Sequence, residues 1–500
     1  MALTIPKRRV LLSIALSILV STGVHSENSD MTAIDTNPPS SPVDSTASGT
    51  DNSVSAAPTD IGGEPALALP DENQYSSISS NSHLADATAP EAPPTPLSIT
   101  IRGGSSLGAY EAGYLFMLTE AIKRNPDHFT PDVLSGASAG TINAILSVVS
   151  LGTPPQDNPL ESIYYRIWTQ LNFSELIDVD SPLTPPGALS SRHLLWRIAD
   201  QLRAEWLRGF KKDFSVVVGI STTRLLPEKI ITPGGLEIPN QQAKFVFRVS
   251  GQGNGRPPAM ANFIWGNPGM EQLLLPFGTD AKTDFNVMMQ AVFASCGIPI
   301  VFPPQPIDYC VAKIRENSTP VCTENEMYTD SFVDGGVVDN SPIHLAYQVH
   351  KAIFSQKADS TQADLNENNV PVSKKGTIGD DVILLYLDPE HLRYPEQSSP
   401  RQDRSWGGMG EHQTYDRGVD LFATLPKFVQ GFVSSSRASE IYSLLNTDPH
   451  ANIQRTENSF APISAQLSGQ FGFMEREILK YDFYLGMHDA ENYLRTAVLE

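Results

Sequence analysis

Apolar and polar residues alternate along Leu97-Ser98-Ile99-Thr100-Ile101, the two-residue period of a half-buried strand. The period then lengthens, and 109–123 reads as a helix. The same change recurs at Pro131–Ser135, a short apolar strand followed by a helix over 139–150. Further strands are predicted at Leu97–Arg102, Phe214–Ser221, Phe245–Ser250, Tyr328–Val333 and Asp381–Leu387, and further helices at 284–295 and 342–354. Strands that alternate with helices imply an α/β fold, a mostly parallel central sheet flanked by helices on both faces. Stretches 421–441 and 473–498 predict extra C-terminal helices. Between 184 and 211, Leu194, Leu195, Ile198, Leu202, Trp206 and Leu207 recur at helical spacing, with Trp196 alongside. This predicts a helix packed on the core, with a lid over a site as the alternative. Gly251–Met270 is rich in Gly, Pro and Asn and reads as a loop, and 359–380 as a polar insertion.

The N-terminal pattern is of another kind. Lys7-Arg8-Arg9, an apolar stretch from Val10 to Val20 and then Val24-His25-Ser26 form a secretory signal peptide over 1–26. The apolar core is short for a membrane span. No cysteine lies near the cleavage point, which argues against a lipoprotein anchor. Residues 27–96 carry eleven acidic residues and no Lys or Arg, among Ser, Pro, Thr and Ala. Such a segment buries too little apolar surface to fold and reads as a disordered acidic spacer. The chain thus divides into a signal peptide, the spacer, a main domain over 97–390 and a C-terminal helical extension over 391–500 packed on it. An exported protein of this kind ends in the periplasm, at an outer membrane or outside the cell.

Formal net charge is −21. An acidic surface argues against nucleic acid and against purely electrostatic docking to anionic lipid. Whether a protein partner or activator is needed stays open.

Candidate chemistry sits at three strand ends. Gly136-Ala137-Ser138-Ala139-Gly140 is a G-x-S-x-G pattern between a strand and a helix. A sharp turn there exposes a serine hydroxyl, and the helix N-terminus behind it favours developing negative charge. Gly103-Gly104-Ser105-Ser106-Leu107-Gly108 joins the 97–102 strand to the 109–123 helix. Free backbone N–H groups in such a loop hold an anion, and as oxyanion donors each is worth roughly 3–4 kcal/mol. A nucleotide phosphate is the rival ligand, but no Gly-Lys-Ser/Thr follows and the glycines are adjacent, so neither phosphate-loop pattern is met. Finally, Phe332-Val333-Asp334-Gly335-Gly336 delivers an aspartate into a two-glycine turn. By itself this is an ordinary turn.

Together, and in this order, these stretches resemble the patatin-like phospholipase family of lipid acyl hydrolases. Ala294-Ser295-Cys296-Gly297-Ile298-Pro299-Ile300-Val301-Phe302-Pro303-Pro304 is similar to the family segment that carries Ala-Ser, a proline and Phe-Pro. The resemblance spans roughly 97 to 390. It implies the patatin-like α/β fold, with Ser138 as nucleophile and Asp334 as its base. Gly136 and Gly140 flank the nucleophile, and Gly335 and Gly336 form the aspartate's turn. Gly103, Gly104, Ser105, Ser106 and Gly108, with Ala139, would form the oxyanion hole. No cofactor or metal is implied, and the substrate is a lipid or membrane surface. Two positions depart from the family: Ser105 replaces the third glycine and Leu107 a basic residue.

Two rivals stay open. A Ser-Asp-His triad is allowed by His344, His350, His391, His412, His450 and His488, which follow Asp334. A catalytically silent lipid-binding or interaction scaffold is the other. Cys310 and Cys322 either pair and close the loop between them or remain thiols, and Cys296 reads as a buried thiol. Neither zinc-ligand spacing nor a calcium loop occurs.

Overall fold

A computed structural model describes residues 94–499, apart from 172–191, 232–233, 267–269, 300–301, 315–321, 323–325, 363–381, 391–438 and 467–470. The predicted signal peptide, nearly all of the predicted spacer and the 421–438 part of the predicted helix lie outside the described residues.

Strand β1 (Thr95–Ile101) leads through the glycine loop into α1 (Gly108–Arg124), and β2 (Phe129–Gly136) leads through Ser138 into α2 (Ala139–Gly152). After the short α3 (Ile163–Trp168) comes α4 (Arg192–Arg208), then the long hairpin of β3 (Ser215–Ile231) and β4 (Glu237–Ser250). β5 (Ala259–Asn262) and β6 (Glu271–Leu274) precede α5 (Ala281–Ser295), and β7 (Gln305–Lys313) and β8 (Met327–Asp334) precede α6 (Ile343–Gln362). β9 (Ile383–Leu387), β10 (Ile453–Arg455), α7 (Ile463–Gln466) and α8 (Arg476–Leu499) complete the chain.

All ten strands form one sheet in the order β10-β9-β1-β2-β3-β8-β7-β6-β4-β5. From β10 to β3 every pair is parallel. This half fits the expected sheet: both faces are covered, and even Ser98 and Thr100, the polar positions of the β1 alternation, are buried. Val216, Val218 and Ile220 lie in the buried cluster on the side of α2 and α5, whereas Val217 packs with Leu345 and Val349 of α6.

The second half departs from the expected parallel sheet. β3 pairs antiparallel with β8, β8 with β7, and β7 with β6. β6 meets β4, and β4 returns antiparallel to β3, so five strands close into a small barrel. Its interior holds the aromatic cluster Phe245, Tyr309 and Phe332. Arg224 lies over two of these rings and donates to Tyr309 Oη at 2.8 Å and Asp330 Oδ2 at 2.6 Å.

The segment predicted to be a loop, 251–270, contains β5. The C-terminal region is not only helical, because β10 extends the central sheet beside β9. In α4, Leu195, Ile198, Leu202 and Trp206 are buried and Trp196 and Leu207 are exposed, which fits a core helix rather than a lid.

Candidate active site

β1 and β2 run parallel with Ile101 beside Gly136, so the glycine loop and the Ser138 turn leave the sheet side by side. The turn between β2 and α2 is tight. Ser138 has φ 52° and ψ −129°, a left-handed conformation that a side chain enters only under constraint. Part of the constraint is close packing. A Cβ at Gly140 would fall 2.3 Å from the Ile101 carbonyl oxygen, and one at Gly103 would fall 2.9 Å from Ser138 Cβ. The elbow and the loop therefore touch only because both positions lack side chains.

Asp334 arrives from the barrel. β8 ends there, with Asp334 opposite Thr222 of β3. Ser138 Oγ donates to Asp334 Oδ2 at 2.7 Å, and the Gly336 N–H donates to Asp334 Oδ1, also at 2.7 Å. Burial pushes the Asp334 carboxyl up to about 7, against the lowering effect of these two hydrogen bonds.

The C-terminal end of α5 clasps the pair. The Ser138 N–H donates to Ser295 Oγ at 3.0 Å, and Ser295 Oγ donates to the Ser221 carbonyl at 2.7 Å. The Cys296 thiol donates to the Ser138 carbonyl at 3.2 Å, and burial holds that thiol well above its ordinary range. The Asp334 N–H donates to the Gly297 carbonyl at 2.8 Å. Sequence reasoning gave these three residues no role, although they lie in the Ala-Ser…Phe-Pro segment that carried part of the resemblance.

The glycine loop narrows the expected set of anion donors. The Gly103 N–H is already donated to the Asn340 carbonyl at 3.2 Å, and Asn340 Nδ2 donates back to the Gly103 carbonyl at 3.2 Å. The Gly108 N–H is turned to the Ser105 and Ser106 carbonyls. The N–H groups of Gly104, Ser105 and Ala139 have no hydrogen-bond partner among the described residues. Ser105 sits at φ 53°, so this serine holds a backbone shape that glycine would hold without strain. Leu107 is buried beneath Gly104. Ahead of the loop, the Arg102 guanidinium pairs with Asp388 at 3.1 Å and Glu390 at 2.5 Å. On the aspartate's side, a Cβ at Gly335 would fall 2.1 Å from the Ser221 carbonyl oxygen.

Among the histidines of the rival triad, His344 contacts Gln348 and Ser443, His350 faces Ser98 Oγ at 3.4 Å, and His488 contacts Asn492. His391 and His412 lie outside the described residues. The Sγ atoms of Cys310 and Cys322 are bonded, with Cα atoms 5.6 Å apart. A cavity of about 420 Å³ lined by Phe116, Lys123, Ser150, Tyr164, Glu205 and Arg208 is distant from this chemistry, at the far end of α2.

A buried serine–carboxylate pair beside open backbone donors is equipped for acyl transfer. Comparison with known proteins agrees in kind. The patatin-like phospholipase family model matches residues 99–347. No curated protein matches the chain. Among solved structures, the crystal structure of VipD from Legionella pneumophila is a distant likeness, with 10% identity and a TM-score of 0.26 over 81% of this chain and 67% of that one. By its 99–347 domain, the chain belongs to the patatin-like phospholipase family, whose members are lipid acyl hydrolases.

Proposed function

We propose that this chain hydrolyses fatty-acyl esters of phospholipids or lysophospholipids with a Ser138–Asp334 dyad. The observation that carries the reading is the direct 2.7 Å hydrogen bond from Ser138 Oγ to Asp334 Oδ2 at a strand-to-helix turn. A triad would place an imidazole between serine and carboxylate, and the direct bond leaves no such place.

Asp334 as a carboxylate takes the Ser138 proton while Oγ attacks the ester carbonyl carbon. The resulting oxyanion takes hydrogen bonds from the open N–H groups of Gly104, Ser105 and Ala139, at the N-terminus of α2. Collapse of the intermediate breaks the bond to the alcohol, and Asp334 returns the proton to that leaving oxygen. Water, deprotonated in turn by Asp334, attacks the acyl-serine; collapse breaks the bond to Ser138 Oγ, Asp334 returns the proton to that oxygen, and the fatty acid leaves. A carboxyl near 7 is matched to both proton transfers. The Cys310–Cys322 bond supports reading 1–26 as a signal peptide, since disulfides persist in oxidising compartments.

The test is fatty-acid release by the full-length chain from phospholipid and lysophospholipid vesicles. Ser138→Ala and Asp334→Asn should each lower kcat/KM by about 10³-fold or more. Release that survives either substitution would overturn the dyad.

A further inference from the structure

Beyond Arg224 the β3–β4 hairpin leaves the body of the protein. Residues 216–224 of β3 are buried and 225–231 are exposed without a break; across from them β4 is exposed from 237 to 239. Among the described residues of this ribbon six large aliphatic side chains stand in solvent: Leu225, Leu226, Ile230, Ile231, Leu236 and Ile238, with exposures of 46, 78, 46, 67, 65 and 43%. Ile230 and Ile238 are direct cross-strand partners and share a face. Single exposed aliphatics are ordinary on a protein surface, but a cluster of them on one projecting element marks an interaction surface.

Where the ribbon projects is informative. β3 is parallel to β2, with Ile220 beside Gly136, and its Thr222 lies opposite Asp334. The ribbon therefore continues past the strand ends that carry the serine and the aspartate, reaching as far as roughly 30 Å beyond Thr222 at ~3.3 Å per residue. Its charge selects the occupant. Glu228, Lys229 and Glu237 are the charged residues between 225 and 239, and Lys229 pairs with Glu237 at 3.1 Å. On a chain of net charge −21, a nearly neutral aliphatic ribbon fits an uncharged interface and not an anionic one.

We propose that this ribbon docks the protein on zwitterionic lipid, inserting its aliphatic side chains at the interface and presenting the Ser138 end of the sheet to the surface. The choice of lipid as occupant rests on the hydrolase reading above. Position, exposure and charge do not depend on that reading.

The experiment is flotation of the full-length chain with phosphatidylcholine vesicles, alongside its Leu226→Asn/Ile231→Asn variant and Ser138→Ala. The double variant should lose about 100-fold in vesicle affinity, near tenfold for each aliphatic side chain withdrawn from lipid. Its melting temperature and its turnover of a water-soluble short-chain ester should stay at wild-type values. Ser138→Ala should float like wild type, so a failed hydrolase reading leaves the docking result legible. A second pair, Leu225→Ser/Ile230→Ser, gives the same answer if the first variant misfolds. Docking is overturned by unchanged affinity in the folded variants, or by a wild type that ignores phosphatidylcholine. It is also overturned if light scattering shows the substitutions splitting a dimer, which would give the ribbon to a second copy of the chain.

Discussion

Asp334 is a buried carboxyl whose two direct partners among the described residues, a hydroxyl and a backbone N–H, are neutral. Dehydration therefore outweighs hydrogen bonding, and the group titrates near 7 instead of near 4. Two consequences follow from one cause. In the proposed dyad Asp334 acts as base only when ionised, so kcat/KM should rise with pH and level off above about 7, a profile read from initial rates between pH 5 and 9. The same shift acts on stability. The folded state binds this proton more tightly than the unfolded chain does, so its favourable contribution is complete below about pH 4 and is lost as pH rises through 7. The loss is roughly 4 kcal/mol, about three pKa units at 1.36 kcal/mol each. Asn at 334 does not titrate and keeps an oxygen for the Gly336 N–H. Asp334→Asn should therefore be more stabilising at pH 8 than at pH 5, measured by denaturant midpoints. An equal difference at the two pH values would mean that the carboxyl does not titrate in this range.

The α5 C-terminus shows what an element adds that its residues do not announce. Ser295 holds the Ser138 N–H and Gly297 holds the Asp334 N–H, so one helix end sets the separation between residues 196 positions apart. Ser295→Ala would leave the Ser138 N–H buried and unpaired, a cost of roughly 1–3 kcal/mol. We expect kcat to fall about tenfold with little change in KM, and Thr, which keeps the hydroxyl, to recover more activity than Ala. A change confined to KM would assign Ser295 to substrate binding instead. Local pattern made Ser138, Asp334 and the glycine loop legible, because strand, turn and helix each leave a short signature. It did not reveal that Asn340 takes the Gly103 N–H, since that contact spans 237 positions. Nor did it reveal the length of β3: Pro227 interrupts the strand pattern, and the register shifts between Thr223 and Glu228 where the proline sits. β10 has three residues, too few to show any period.

At the scale of the molecule, the family domain ends at 347, but the sheet does not. β9 pairs with β1 and β10 with β9, and Asp388 just after β9 binds both Arg102 and Arg455. The Tyr110 hydroxyl, with one proton to donate, lies 2.8 Å from Asn458 Oδ1 and 2.9 Å from Asp489 Oδ2, and α8 lies against α1 with backbone touching backbone. A Cβ at Gly486 would fall 2.0 Å from the Tyr110 carbonyl oxygen, and one at Gly113 would fall 1.8 Å from that of Phe483. The sequence predicted the α8 helix but not this partner, because Gly486 against Tyr110 and Gly113 against Phe483 are contacts between residues far apart in the chain, which no local pattern shows. α1 starts where the 103–107 loop ends, so whatever seats α1 also seats the loop's open donors. Gly486→Val must push α8 off α1, and overpacking of this kind costs about 3 kcal/mol. We expect a lower denaturation midpoint and, at temperatures where the variant is still folded, a kcat reduced more than KM. If the midpoint falls while kcat holds, the C-terminal region stabilises the fold without positioning the oxyanion loop.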